Sequence, residues 1–213
     1  HISGDQAMKE AFLSGEDFHT VTASKVFGVP VEQVTPTLRS RAKAVNFGIV
    51  YGISAFSLAQ DIGVYTNEAK AYMDAYLERY HGVRDYMKNI VESAKEKGYV
   101  STIYGRRRYL PELKSSNFNM RSFGERVALN MPVQGTAADI IKLAMVNVHR
   151  RLKETGLKAR LILQVHDELI VECPGEEAEQ VRDILTEEME NAAHLSVPLV
   201  AEAHIGHSWA EAH

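Results

Sequence analysis

Helix-starting and helix-stopping residues recur so closely over the first hundred positions that this stretch can fold only as a series of short, separate helices. Asp17 can accept hydrogen bonds from the free amides opening a segment that ends at Phe27, and Gly28 behind it tolerates the left-handed backbone that closes a helix. Thr35 before Pro36 repeats the start signal, because proline at a first helical position gives up an amide that has no intrahelical partner anyway. The pattern predicts helices over 17–27, 36–51, 55–61, 67–80 and 83–97, the last two closed by Gly82 and Gly98. A short β-type run over 99–104 and a basic loop of Arg106, Arg107 and Arg108 follow. Helix resumes near 121, is expected to break at Pro132, and continues to about 154.

The period changes after Gly156. Residues 160–165 and 168–173 read as two apolar strands separated only by His166 and Asp167. Two-residue hairpin turns favour glycine or asparagine, because positive φ is cheap there, so a His-Asp tip implies strain that invites a functional cause. An acidic helix over 176–193 and a last strand over 199–205 complete an α+β chain.

Composition adds constraints once it is divided along the sequence. The net charge is -4, yet residues 1–160 carry 23 Lys and Arg against 16 Asp and Glu, while residues 161–213 carry one against 12. The first part can therefore face a polyanion, and the second gathers carboxylates for solvation or a metal. Most of those acids, from Glu176 to Glu190, are spaced like one wet helix face. The single Cys173 allows no internal disulfide, and no apolar run or leader suggests a membrane or secretion, so a cytoplasmic setting is expected. His1 stands in ordinary globular sequence, which reads as a cut. Phosphate-loop, dinucleotide, nucleophile-elbow and zinc spacings are absent, so any phosphate must be held by side chains.

Such side chains occur in the segment from Arg39 to Gly52. Arg39, Lys43, Phe47 and Tyr51 stand four apart and advance about 40° per step, so they share one helical stripe of two cations followed by two rings. Cations can neutralise a triphosphate and rings can pack against a base or sugar. Spacing alone leaves a basic amphipathic helix with buried aromatics equally open. Residues 126–139, with Asn130, Pro132 and Gly135, read as a helix, a break and a helix. At 164–169 the strands pin a His166-Asp167-Glu168 tip, which suits oxygen coordination of a hard cation such as Mg²⁺ or, alternatively, is only solvated.

These three segments together resemble the motifs of the family A DNA polymerases, and the likeness extends from His1 to the closing Gly206-His207-Ser208-Trp209. The resemblance implies a right-hand polymerase fold, represented by mostly helical fingers over 1–118 and the C-terminal part of an antiparallel-sheet palm over 119–213. It implies that Arg39, Lys43 and His19 (within Asp17-Phe18-His19-Thr20) hold the triphosphate of a dNTP, with Lys43 a general acid toward pyrophosphate. By the same likeness Phe47 packs on the sugar and Tyr51 guards the nascent pair. Arg126, Asn130, Gln134 and His166 would meet primer-template DNA; Arg126 and Gln134 can donate to acceptors common to all base pairs in the minor groove. Asp167 would ligate metal, and Glu168 would support the site.

The family chemistry is two-metal transfer with Mg²⁺, and a second metal-holding Asp would lie on a strand just before residue 1. The implied protein is a monomeric, nucleoid-associated bacterial enzyme. The chain alone is expected to bind dNTP and DNA without turnover. Asp5 is excluded as the second ligand because it reads as a helix start.

Overall fold

The helix ends form where cap chemistry puts them. In the computed structural model, which describes residues 1–212, the Asp5 carboxylate accepts the Met8 amide at 2.7 Å and opens α1 (Gln6–Leu13). Asp17 accepts the Thr20 amide at 2.8 Å and opens α2 (Phe18–Phe27), which Gly28 closes at φ 67°. Thr35 caps α3 (Pro36–Val50), and Ser54 caps α4 (Ala55–Ile62). Two longer helices follow, α5 (Thr66–Arg79) and α6 (His81–Lys97).

Gly98, at φ 78°, ends α6 as expected, but Gly82 ends nothing. It lies in the first turn of α6, where its amide donates to Asp5 Oδ2 at 2.7 Å. A Cβ at Gly82 would stand 2.8 Å from the Asp5 Cα, so the missing side chain serves close approach of two backbones. The glycine was a packing residue with its partner 77 positions away, which no local pattern reveals.

The chain divides into two compact units, His1–Val133 and Gln134–His213. In the first, Val45 and Ile49 of α3 and Leu58 of α4 are buried with Tyr76 and Tyr80 at the end of α5. Burial of Val45 and Ile49 contributes about 1.5–3 kcal/mol each, enough to fix which face of α3 is left outside. A second cluster of this unit joins Ala94 of α6 to Val100, Leu110, Leu113 and Ala128. It lies beside a hairpin of β1 (Tyr99–Ser101) and β2 (Arg107–Tyr109), antiparallel with Val100 opposite Arg108. The expected basic loop is therefore partly strand. Arg107 turns over the Tyr99 ring, 4.6 Å from its centroid, and this cross-strand contact supports the ladder.

Helix α7 (Phe118–Glu154) is continuous through Pro132, against the expected break. Proline inside a helix costs about 3 kcal/mol. Ala128 on one side and Ile141, Ala144 and Val148 on the other are all buried, and that burial outweighs the lost hydrogen bond.

In the second unit, β3 (Arg160–Val165) and β4 (Glu168–Glu172) pair antiparallel, with Val165 opposite Glu168. Leu169 is buried with Ile141, Val148 and Leu152 of α7 and Val181 and Ile184 of α8 (Ala178–Glu190). The acidic helix is shorter than 176–193, because Gly175–Glu177 forms a separate 3-10 turn. The expected strand at 199–205 is absent: the only ladders among the described residues are β1–β2 and β3–β4. A strand exists through its partner, and here the Ala201 amide donates instead to a Glu190 carboxylate at 3.2 Å.

Candidate nucleotide-binding site

Burial of Ala42, Val45, Asn46 and Ile49 against the first unit's core turns the opposite stripe of α3 outward. Arg39, Lys43, Phe47 and Tyr51 are all exposed, Phe47 at 46% and Tyr51 at 43%. The alternative of buried aromatics is thereby excluded. The two rings lie 6.2 Å apart at 12°, a stacked pair standing at the end of a row of two cations. Beyond Tyr51 the chain reverses at Gly52, φ 71°, where a Cβ would come within 3.2 Å of the Arg126 side chain. Arg126, in α7, thus packs next to the aromatic end of the stripe, with one guanidinium nitrogen 3.0 Å from Ser122 Oγ. Asn130, one turn further along α7, has a buried Oδ1 without a hydrogen-bond partner.

At the cationic end, Arg39 forms a two-pronged ion pair with Asp17, Nε–Oδ1 2.9 Å and Nη2–Oδ2 2.8 Å. The same carboxylate caps α2 through Thr20, so one side chain orders both the helix start and the guanidinium. The Arg39 hydrogen bond holds the Asp17 carboxyl well below the usual carboxylate range, and Asp17 in turn raises the Arg39 guanidinium.

His19 lies in the first turn of α2, half-buried, with its ring 5.8 Å from that of Phe47. Burial lowers its pKa; Asp17 opposes this, while Arg39 and Lys43 push the same way as burial. Asn46 Nδ2 lies 2.9 Å from His19 Nδ1. The structure therefore assembles His19, Arg39, Lys43, Phe47 and Tyr51 on one exposed surface built by α2 and α3. Two further residues that hold that surface in place were missed. Asp17 had been read only as a cap, and its pairing with Arg39 spans 22 positions. Asn46 did carry a signal, since it is an amide between Val45 and Ile49 on the apolar face of α3.

In the second unit, Gln134 is exposed on α7, and His166 and Asp167 form the two-residue turn between β3 and β4. His166 has φ 51°, the only positive value at a non-glycine among the described residues. Gln164 steadies the tip by donating to the His166 carbonyl at 2.7 Å. Asp167 is exposed and Glu168 half-buried. Two adjacent carboxylates offer oxygen donors suited to a hard cation, although the described residues contain no group of three or more His, Cys, Asp or Glu placed to hold one. Asp5, 3% exposed, is committed to the Met8 and Gly82 amides, in keeping with its reading as a helix start.

The first unit thus presents an exposed stripe of cations and rings joined to a histidine, and the second a strained acidic hairpin. Comparison with known proteins adds the family. Residues 1–211 match the DNA polymerase family A, and the chain belongs to that family. It is 54% identical to DNA polymerase I of Bacillus subtilis and 51% identical to DNA polymerase I of Caldicellulosiruptor bescii, across 100% and 99% of its length. It spans about a quarter of those relatives, 24% and 25%. Among solved structures it is similar to the POL domain of Pol1 from M. smegmatis in complex with DNA primer-template and dNTP. That similarity has a TM-score of 0.95 and 50% identity, covering 100% of this chain and 37% of that one. No helix among the described residues is long and apolar enough to cross a membrane.

Proposed function

We propose that this chain supplies the nucleotide-selecting surface and part of the catalytic hairpin of a template-directed DNA polymerase. The reaction is nucleotidyl transfer from a dNTP to a primer 3'-hydroxyl. The observation that carries this reading is the exposed stripe Arg39, Lys43, Phe47, Tyr51 with His19 beside it. Arg39 and Lys43 bind the triphosphate, His19 donates to it, and Lys43 Nζ gives a proton to the departing pyrophosphate. Phe47 packs against the sugar, and Tyr51 stands beside the nascent pair. Arg126, Asn130, Gln134 and His166 contact primer-template DNA.

Asp167, supported by Glu168, would hold Mg²⁺. Held there, Mg²⁺ would supply a Lewis acid that makes the primer hydroxyl more acidic and offsets phosphate charge. Residues 1–118 act as fingers and 119–213 as palm, in a monomeric enzyme of the bacterial nucleoid. The pair Asp167 and Glu168, with Asp5 committed elsewhere, favours a second reading of the isolated chain: it binds dNTP and DNA without turnover.

Single-nucleotide primer extension by the full protein tests the assignment. Lys43→Ala lowers the incorporation rate more than DNA affinity, and Asp167→Asn abolishes extension. Equal losses of rate and DNA binding in the first, or full activity in the second, would refute it.

A further inference from the structure

We propose that Asn46 is a positioning residue of the nucleotide site, whose side-chain amide fixes the tautomer and ring orientation of His19 so that Nε2–H is its free donor. The inference rests on the proposed nucleotide-site reading for its purpose, and on geometry for its content. Asn46 is 5% exposed, one of few buried polar side chains in the first unit. Its amide nitrogen stands 2.9 Å from His19 Nδ1. An amide nitrogen only donates, so Nδ1 must accept, and in a neutral imidazole the single proton then sits on Nε2. A phosphate oxygen needs a donor; the opposite tautomer would offer it a lone pair.

The surroundings favour the neutral ring. The ionised groups facing His19 are Asp17 from the start of α2 and Arg39 and Lys43 from α3, and burial acts with the two cations against protonation. Phe18 and Phe47 flank the ring at 5.9 and 5.8 Å and limit its rotation. Asn46 Oδ1 is buried without a hydrogen-bond partner. An unsatisfied buried acceptor is uncommon, and the reversed amide would satisfy it on a protonated Nδ1, so the protonation of Nδ1 is the observable that decides between the two. The arrangement parallels metal-binding histidines, whose second nitrogen is fixed by a neighbour so that the first points correctly. One helix thus carries the two cations and, on its inner side, the group that aims the third phosphate donor.

Two-bond ¹H–¹⁵N correlation spectra of the histidine-labelled protein test this directly, with His19 assigned by the signal lost in His19→Gln. The expected result is a bare Nδ1 and a protonated Nε2 in the wild type, and a mixture of tautomers in Asn46→Leu. Asn46→Asp, which keeps the shape but presents an acceptor, should shift the His19 titration upward. A protonated Nδ1 in the wild type, or an Asn46→Leu spectrum unchanged from it, overturns the proposal.

In single-turnover extension by the full protein, Asn46→Leu should raise the apparent dNTP dissociation constant about tenfold, the scale of a lost bond to a charged group, with the maximal incorporation rate little changed. The same substitution in a His19→Gln background should add nothing, and additive effects would show that Asn46 does not act through His19. The spectra require no nucleotide, so a wild type that binds no triphosphate refutes the nucleotide-site reading and leaves the tautomer assignment standing.

Discussion

Replacing Asp17 separates two jobs that one carboxylate performs. Asp17→Asn keeps an oxygen able to accept the Thr20 amide at the start of α2, so the cap persists and only the charge is removed. Asp17→Ala removes both. Both partners of the Asp17–Arg39 pair are nearly half exposed, at 43% and 46%, so the ion pair itself is worth about 0.5–1 kcal/mol despite its two-pronged geometry. Loss of an N-cap costs about 1 kcal/mol. The expected destabilisation is therefore about 0.5–1 kcal/mol for Asp17→Asn and about 1.5–2 kcal/mol for Asp17→Ala.

A double-mutant cycle with Arg39→Ala, read by urea denaturation at pH 7, should give a coupling of about 0.5–1 kcal/mol that shrinks in 1 M salt. The pH dependence has a defined sign. Arg39 depresses the folded-state pKa of Asp17, so the stabilisation is present above the unfolded value near 4 and is lost as pH falls through the folded one. Equal costs for the Asn and Ala variants, or a coupling of zero, would refute the division between cap and clamp.

Gly82→Ala should destabilise the first unit by about 1–3 kcal/mol in thermal denaturation, although alanine is the better helix former, because its Cβ would stand 2.8 Å from a backbone atom of Asp5; a neutral or stabilising result would contradict the close packing. His166→Gly should stabilise the β3–β4 hairpin by up to about 1 kcal/mol in urea, since glycine adopts φ 51° freely, while impairing primer extension; improved activity would remove the functional reason for the strain. Phe47→Tyr should relax discrimination against nucleotides lacking a 3'-hydroxyl in competitive incorporation assays, and unchanged discrimination would count against the sugar contact.

What could be read from the sequence was what depends on neighbours in sequence. Asp17 with Gly28 and Thr35 with Pro36 mark α2 and α3 because capping bonds close within three or four residues. The positive φ at His166 was anticipated because a two-residue hairpin demands it whatever occupies the turn. The exposed stripe of α3 followed from spacing once its aromatics were placed outside, and spacing alone could not place them there.

The failures share the opposite property. Gly82 looked like a helix stop because its reason, Asp5, lies far away in sequence. The run 199–205 looked like a strand, but no partner edge pairs with it. Pro132 predicted a break because its local cost is visible, and the burial that offsets it is not. Asp17 and Asn46 each act on the site through a residue more than 20 positions away, Arg39 and His19. Both lie inside the motif segments, but neither is given a role there.

The bond between Asp5 and Gly82 also bears on the order in which the molecule assembles. A contact closing a loop of 77 residues cannot form until the intervening helices have condensed, because the entropy of bringing such distant points together is recovered only when the site is already in place. Helix α1 is thus expected to lock last in the first unit, after α2 to α6 have met. Asp5→Asn should then speed unfolding and leave the folding rate nearly unchanged, and a substantially slowed folding rate would place that bond in the folding nucleus instead.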